Sequence, residues 1–342
     1  MSRVNYEKLK EEVWDTGRCS GCGACCAVCP ADAIIFPDGD NSKPVNTGYC
    51  KDATDFVNCG ACYSVCPRTK EAEKKRELLG DYIEIISAKS VSDTPGKQSG
   101  GAVTAILANA LKTGIIDAVV TVSQDNWTKE PKSVLITNEE AMFATAGSKY
   151  NWWTPALMAL SEAVVGRKYK NVAVIGTPCA VTSLRLMKNS SNDLIKPFGK
   201  AIRLIFGLFC TEVFDYRKLM EGKIESEMKI DSWKIKRMNV SGKLEIFLTD
   251  GSKKNVPLSE LEDTVRPGCS ICTDLTGVES DISAGAIGSP DGFTTLIIRT
   301  QTGAGFVESA KNNGYIDMSG DIDIKAINRL ADKKALRGRK TD

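Results

Sequence analysis

The chain has 342 residues, 45 basic against 43 acidic side chains and 42% hydrophobic residues, which gives apolar material for more than one core and a net charge of only +2. Thirteen cysteines and no histidine exclude His/Cys zinc sites, Ser-His and Cys-His nucleophile pairs, and imidazole acid–base catalysis. Long apolar runs are absent and MSRVNYEKLKEEVW lacks the basic-then-apolar build of a signal peptide. A cytoplasmic location is therefore expected, where cysteines serve as metal ligands more readily than as disulfides.

Cys19, Cys22, Cys25 and Cys29 follow the C-x2-C-x2-C-x3-C-P spacing of two-cluster ferredoxins, completed by Pro30. Cys59, Cys62 and Cys66-Pro67 repeat the second half of the pattern, and the insertion KDATDFVN displaces the first cysteine of the repeat to Cys50. In such pairs the fourth cysteine of each motif crosses to the other cluster. This assigns Cys19, Cys22, Cys25 and Cys66 to one 4Fe-4S cluster and Cys50, Cys59, Cys62 and Cys29 to a second. Cys26 is left over and reads as a small buried hydrophobe. A zinc ribbon is the rival, but it needs only four thiolates in separated pairs, whereas eight interlock here. Residues 1–70 are expected to form an α+β two-cluster ferredoxin-like domain, and the charged segment 71–81 a linker or solvated helix.

From residue 82 the grammar changes to strand followed by helix. YIEIISAKS (82–90) alternates as a strand, and SGGAVTAILANALKTG (99–114) reads as a helix with Ser99 as N-cap and Gly114 as left-handed C-cap. IIDAVVTVS (115–123), NVAVIG (171–176) and AIRLIFGLFC (201–210) read as strands, with a helix over AVTSLRLMK after the second. WKIKRMNVSGKLEIFLTDGSKKNVPL predicts an antiparallel meander with turns at Ser241-Gly242 and Asp250-Gly251. The fold class expected is α/β, a mostly parallel sheet with a small antiparallel meander, behind the ferredoxin-like domain.

Cys179 and Cys210 fall at strand ends, and Cys269 and Cys272 form a C-x2-C in RPGCSICTD. These four make either a third cluster or two core cysteines beside a stray pair. Ser99, Gly100 and Gly101 open a helix at which a pyrophosphate could meet exposed N–H groups, although many such helices hold no ligand. GAIGSPDGFTT (285–295), a glycine-rich loop before a strand, is equally ambiguous.

QSGGAVTAILANALKTGIIDAVV, GSKYNWWTPALMAL, GTPCAVTSLRLM, GLFCTEVFDYRKL, RPGCSICTD and GSPDGFTTLIIRT occur in the order seen in the beta subunit of coenzyme F420-reducing hydrogenase. Residues 82 to about 315 resemble that family. With a ferredoxin segment in front, the chain is similar to the electron-input subunits of membrane-bound, complex-I-like F420H2 dehydrogenases. The resemblance implies a domain over 82–320 that binds FAD and a 4Fe-4S cluster and accepts coenzyme F420 as substrate. It implies Cys179, Cys210, Cys269 and Cys272 as ligands of a third cluster. It further implies Ser99, Gly100, Gly101 and Thr104 as flavin contacts, with Lys149, Tyr150, Thr177 and Pro178 as weaker candidates.

The expected activity is hydride transfer from F420H2 to FAD, with Lys149 supplying positive charge, and single electrons passing through the clusters to a membrane complex or soluble ferredoxin. The alternatives are a ferredoxin-dependent reductase of an organic substrate and a plain electron relay. The basic stretch 321–342 is either a solvated tail or a dock for an acidic subunit or lipid, a peripheral membrane association at most. Nucleic acid is not an expected partner, because the basic residues are not interleaved with aromatics.

Overall fold

A computed structural model describes residues 4–72, 78–149 and 153–339. The cysteine-rich N-terminal segment holds four short helices, α1 (Tyr6–Leu9), α2 (Ala24–Ala27), α3 (Lys51–Asp55) and α4 (Ala61–Ser64). A small hairpin, β1 (Ile34–Ile35) and β2 (Val45–Asn46), completes it.

Behind it stands an eight-stranded sheet in the order β13-β3-β12-β11-β7-β6-β4-β5. Its first strands in the chain are β3 (Glu84–Ser90), β4 (Ala118–Gln124), β5 (Pro131–Ile136), β6 (Val172–Gly176) and β7 (Ile202–Leu208). A three-stranded meander follows, β8 (Ile235–Val240), β9 (Lys243–Leu248) and β10 (Lys253–Pro257), before the sheet resumes with β11 (Ile282–Gly285), β12 (Thr294–Ile298) and β13 (Ile316–Asp317). β4, β6, β7 and β11 pair parallel; β12 runs against both β11 and β3, so β3 shares their direction. The central strands VAVIG and AVVTV are buried along their length, as strands covered on both faces must be.

The remaining helices are α5 (Ala102–Lys112), α6 (Glu139–Ala144), α7 (Ala159–Ser161), α8 (Pro178–Lys188), α9 (Lys196–Ala201), α10 (Gln301–Asn312) and α11 (Ile324–Arg339). α5 and α10 cover one face of the sheet, through Ile106, Leu107, Phe306 and Val307. Leu184 and Phe198 of α8 and α9 cover the other, and here the ferredoxin segment joins in: Ala24, Ala27, Val28, Ala61 and Val65 share one apolar cluster with Leu157, Val174 and Leu184. The N-terminal segment is therefore welded to the sheet. The weld is reinforced by the Ser183 hydroxyl donating to the Val65 carbonyl (2.6 Å) and the Asn192 amide donating to the Cys59 carbonyl (2.7 Å).

The meander sits in an insertion between β7 and β11 with its own core, built on Leu219, Ile224, Leu244 and Ile246 and closed at the neck by a bridge between Phe214 and Val265. Its turns at Gly242 (φ +70°) and Gly251 (φ +85°) fall where the sequence places them. Trp233 stacks on Trp127 in the β4–β5 turn, with centroids 5.7 Å apart, and pins the insertion over the carboxyl edge of the sheet.

Two expectations change. Ser99 is not an N-cap: it is exposed in a left-handed conformation (φ +48°), and Gly101 (φ +71°) is the residue that starts α5, with no side-chain cap. The far end behaves as read, with Gly114 left-handed at φ +70°. The basic stretch at the C-terminus is not a solvated tail through Arg339, because α11 buries Ile327, Ala331 and Ala335 against the body. Residues 73–77 of the segment read as a linker lie outside the described residues, while Leu79 beyond them packs with Leu275 and Ile327. Among the described residues no helix is long and apolar enough to cross a membrane.

Two glycines of α10 separate packing from propensity. A Cβ on Gly303 would meet the Asp281 carbonyl at 2.3 Å, whereas one on Gly305 would meet nothing within 4 Å. Gly303→Ala should lose about 1–3 kcal/mol in urea unfolding, and Gly305→Ala should gain about 0.5–1 kcal/mol from helix propensity.

Candidate functional site

The two ferredoxin half-motifs, GACCAVCP and GACYSVCP, fold alike. Each short helix starts from a left-handed glycine, Gly23 (φ +82°) or Gly60 (φ +63°), and ends on a valine at φ −100°. Cys26 occupies the place of Tyr63, and both are buried in the core with Leu9, Val13 and Trp14.

Cys19, Cys22, Cys25 and Cys66 wall one cavity, together with Trp14 and Phe36. Backbone N–H groups point at the sulfurs, as from Gly21 to Cys19 (3.4 Å), and others reach Cys22 from Ala24 and Cys66 from Arg68. Cys29, Cys50, Cys59 and Cys62 form the second group. Burial pushes the Cys62 thiol up, and Cys59, Cys29 and Cys50 are among the neighbours that push it further. The insertion after Cys50 is the helix α3, with Cys50 as its N-cap; the Thr54 N–H donates to the Cys50 carbonyl (2.6 Å). Coiling the extra residues in this way keeps Cys50 beside Cys59, whose thiol burial raises first and Cys50 also raises.

A second cavity gathers Cys179, Cys210, Cys269 and Cys272, residues scattered over ninety-odd positions of the chain. Pro178 starts α8 and puts Cys179 in its first turn, with the Thr177 hydroxyl 3.2 Å from the Cys179 sulfur. Cys210 lies just beyond β7. Thr177 and Pro178 line this thiol cavity, on the β6 side of the sheet. Cys22 and Ser20 line both cavities, so the two share a wall. The loop 267–272 lies directly on the Cys19 loop, since a Cβ on Gly268 would come 2.5 Å from the Cys19 carbonyl.

Three cations that the sequence reading passed over surround these thiols. Arg68, next to Cys66-Pro67, is half-buried at the second cavity and donates to the Gly268 carbonyl (3.1 Å). Lys334 of α11 is 4% exposed and donates to the Cys210 carbonyl. Arg266, 1% exposed, stacks over Trp153 (4.3 Å) and donates to the Asn41 and Ser42 carbonyls. Burial alone would raise the Cys272 thiol, but Lys334 and Arg68 outweigh it and bring it down to about 7. The Cys210 thiol is pushed well up by desolvation in the cavity. A signal for Lys334 was present: it shares a helix face with Ile327 and Ala331, three and four residues apart.

The donor sets suit iron–sulfur cubanes better than single ions. No group of three or more Cys, Asp or Glu among the described residues is arranged to hold one metal ion. The thiols stand around cavities instead, with N–H groups and cations at hand to offset negative charge.

The flavin candidates divide. Gly100 is committed to packing: its N–H donates to the Thr294 hydroxyl (3.0 Å), and a Cβ would meet the Ala88 carbonyl at 2.4 Å. Ser99 is exposed, Gly101 half-buried, and Thr104 buried in the first turn of α5. An uncapped helix start beyond the carboxyl end of β3 fits a pyrophosphate. Lys149 lies on a neighbouring loop: the Ser148 N–H donates to the Gln98 side chain, and a Cβ on Gly147 would meet the Gly96 carbonyl at 2.7 Å. The Lys149 ammonium donates to the carbonyls of Thr145, Ala146 and Gly147 (3.2, 3.2 and 2.7 Å), closing the end of α6. Tyr150 lies outside the described residues.

Residues 85–161 and 169–323 match the N-terminal and C-terminal parts of the coenzyme F420 hydrogenase/dehydrogenase beta subunit, and residues 18–70 match the 4Fe-4S dicluster domain. One subunit of the F(420)H(2) dehydrogenase of Methanosarcina mazei is 32% identical over 92% of this chain and 89% of its own length. The chain belongs to the family of coenzyme F420 hydrogenase/dehydrogenase beta subunits. Within that family, an uncharacterized protein of Methanocaldococcus jannaschii is 42% identical over 98% of both chains. A chain from the F420-reducing [NiFe] hydrogenase complex of Methanosarcina barkeri superposes with a TM-score of 0.73 at 27% identity, covering 79% of this chain and 94% of that one. In this member of the family the front segment is the dicluster domain that the cysteine spacing indicated.

Burial lowers Lys149 from the usual 10.5 to about 8. Its protonated form therefore costs the fold stability relative to a solvated lysine, and that cost fades as pH rises from 8 towards 10.5. Lys149→Met removes the donor to three carbonyls and should cost about 1–3 kcal/mol in urea unfolding at pH 7. The difference from wild type should change between pH 8 and 10.

Proposed function

We propose that the chain oxidises reduced coenzyme F420 by way of FAD bound at the start of α5, and delivers single electrons through three 4Fe-4S clusters to a complex-I-like membrane partner or soluble ferredoxin. The observation that carries this reading is the shared Cys22 wall, which sets the cavity of Cys179, Cys210, Cys269 and Cys272 directly against the first ferredoxin cavity. A relay needs such contact. The names of the family relatives, hydrogenase and dehydrogenase subunits linked to F420, support the substrate.

FAD supplies the conversion between a two-electron hydride donor and one-electron clusters. The chain's own part is to hold and shield. Ser99 and the N–H groups of the first turn of α5 take the pyrophosphate, Gly101, its own N–H donated to the Gln98 carbonyl, turns the chain into that helix, Gly100 lets the helix start lie close on β3 and β12, and Thr104 lines the turn. Lys149 supplies positive charge on the adjoining loop. Thr177 and Pro178 shape the thiol cavity toward the sheet. Cys19, Cys22, Cys25 and Cys66 hold one cluster, Cys29, Cys50, Cys59 and Cys62 the second, and Cys179, Cys210, Cys269 and Cys272 the third.

Anaerobic mixing of the iron-loaded chain with F420H2 and an artificial one-electron acceptor should restore the oxidised deazaflavin absorbance, and only with FAD present. No turnover in protein with flavin bound and about twelve irons would defeat the proposal and favour a ferredoxin-fed reductase. Cys50→Ala should lose about four irons and leave the other clusters spectroscopically intact; full iron retention would remove Cys50 from the ligand set.

A further inference from the structure

We infer that Lys334 of the C-terminal helix, seconded by Arg68, is the built-in counter-charge of the cluster held by Cys179, Cys210, Cys269 and Cys272, and sets that cluster's reduction potential above the value its ligands alone would give. This rests on the third-cluster reading proposed above.

A buried ammonium needs compensation, because removing it from water is costly. Lys334 reaches the Cys210 carbonyl, and Asp274, the carboxylate that acts on it, has both oxygens engaged by the N–H groups of Gly277 and Val278. What faces Lys334 is the thiol cavity itself, which Cys210, Cys269 and Cys272 share with it. Arg68 lines the same cavity, donates to the Gly268 carbonyl (3.1 Å), and has an Nε with no hydrogen-bond partner; Cys272 leads the thiols that favour its charge. One buried and one half-buried cation, from segments far apart in the sequence, thus face one set of sulfurs. A four-thiolate cubane is anionic and gains one further negative charge on reduction, so both cations favour its reduced form. The residue is not a ligand; it acts through the charge it holds at the ligands.

The test is an EPR-monitored redox titration, with iron and sulfide counts, of reconstituted wild type, Lys334→Met, Lys334→Arg and the exposed control Lys333→Met. In Lys334→Met one of three midpoints should fall by tenfold or more in the reduction equilibrium, about 59 mV for one electron. Lys334→Arg should stay near wild type, as should Lys333→Met. Unchanged midpoints in fully loaded Lys334→Met would overturn the inference while leaving the third cluster standing. If Lys334→Met loses the third cluster, retention in Lys334→Arg supports the counter-charge and loss in both overturns it. A wild type with only about eight irons would overturn the third-cluster reading and this inference together.

Discussion

The close approach of Gly268 to the Cys19 carbonyl is the contact on which the arrangement depends. A side chain of any size there would separate the loop bearing Cys269 and Cys272 from the loop bearing Cys19 and Cys22. The two thiol cavities would then no longer share Cys22. Around that contact the same union is made by apolar packing, through Ala24, Val28, Ala61 and Val65, and by Arg266, which ties the β1–β2 hairpin loop to the start of the cysteine loop. Small residues make the approach possible and a buried arginine locks it.

The chain has no histidine, and its site is correspondingly one of thiols, backbone N–H groups and fixed cations. Such a site offers little for moving protons and much for holding charge. Arg266 and Lys334 are buried and Arg68 half-buried at a cost that an anionic neighbourhood helps to repay, and their placement beside the thiols turns that cost into electrostatic preorganisation.

The cysteine spacing was legible because ligand loops are local: Cys19 to Cys29 encode their own turns, and the repeat at Cys59 to Cys66 encodes the same turns again. The buried strands were legible as unbroken apolar runs, and the meander through its glycine turns. Ser99 was misread because a serine before a helix resembles a cap, while the left-handed turn at Gly101 starts the helix without one. The docking of the N-terminal segment was hidden since α2 and α4 are single turns, too short to display an apolar face. The role of α11 was half legible: Ile327 and Ala331 mark its buried face, but Lys334 on that face reads as solvated because lysine is seldom buried. The placing of β12 beside β3 is set by pairing between residues about two hundred positions apart and has no local signature.

Lys334, Arg337 and Gly338 close α11 over the Cys210–Cys272 cavity, and α11 is the last described helix to leave the ribosome. The ligands of the first two cysteine groups are all translated by Cys66, whereas the third compartment can be sealed only after nearly the whole chain has emerged. The cysteine compartments thus acquire an order in time from the order of the sequence: the first two groups can gather on the nascent chain, and the compartment of Cys179 and Cys210 closes only once α11 has been made.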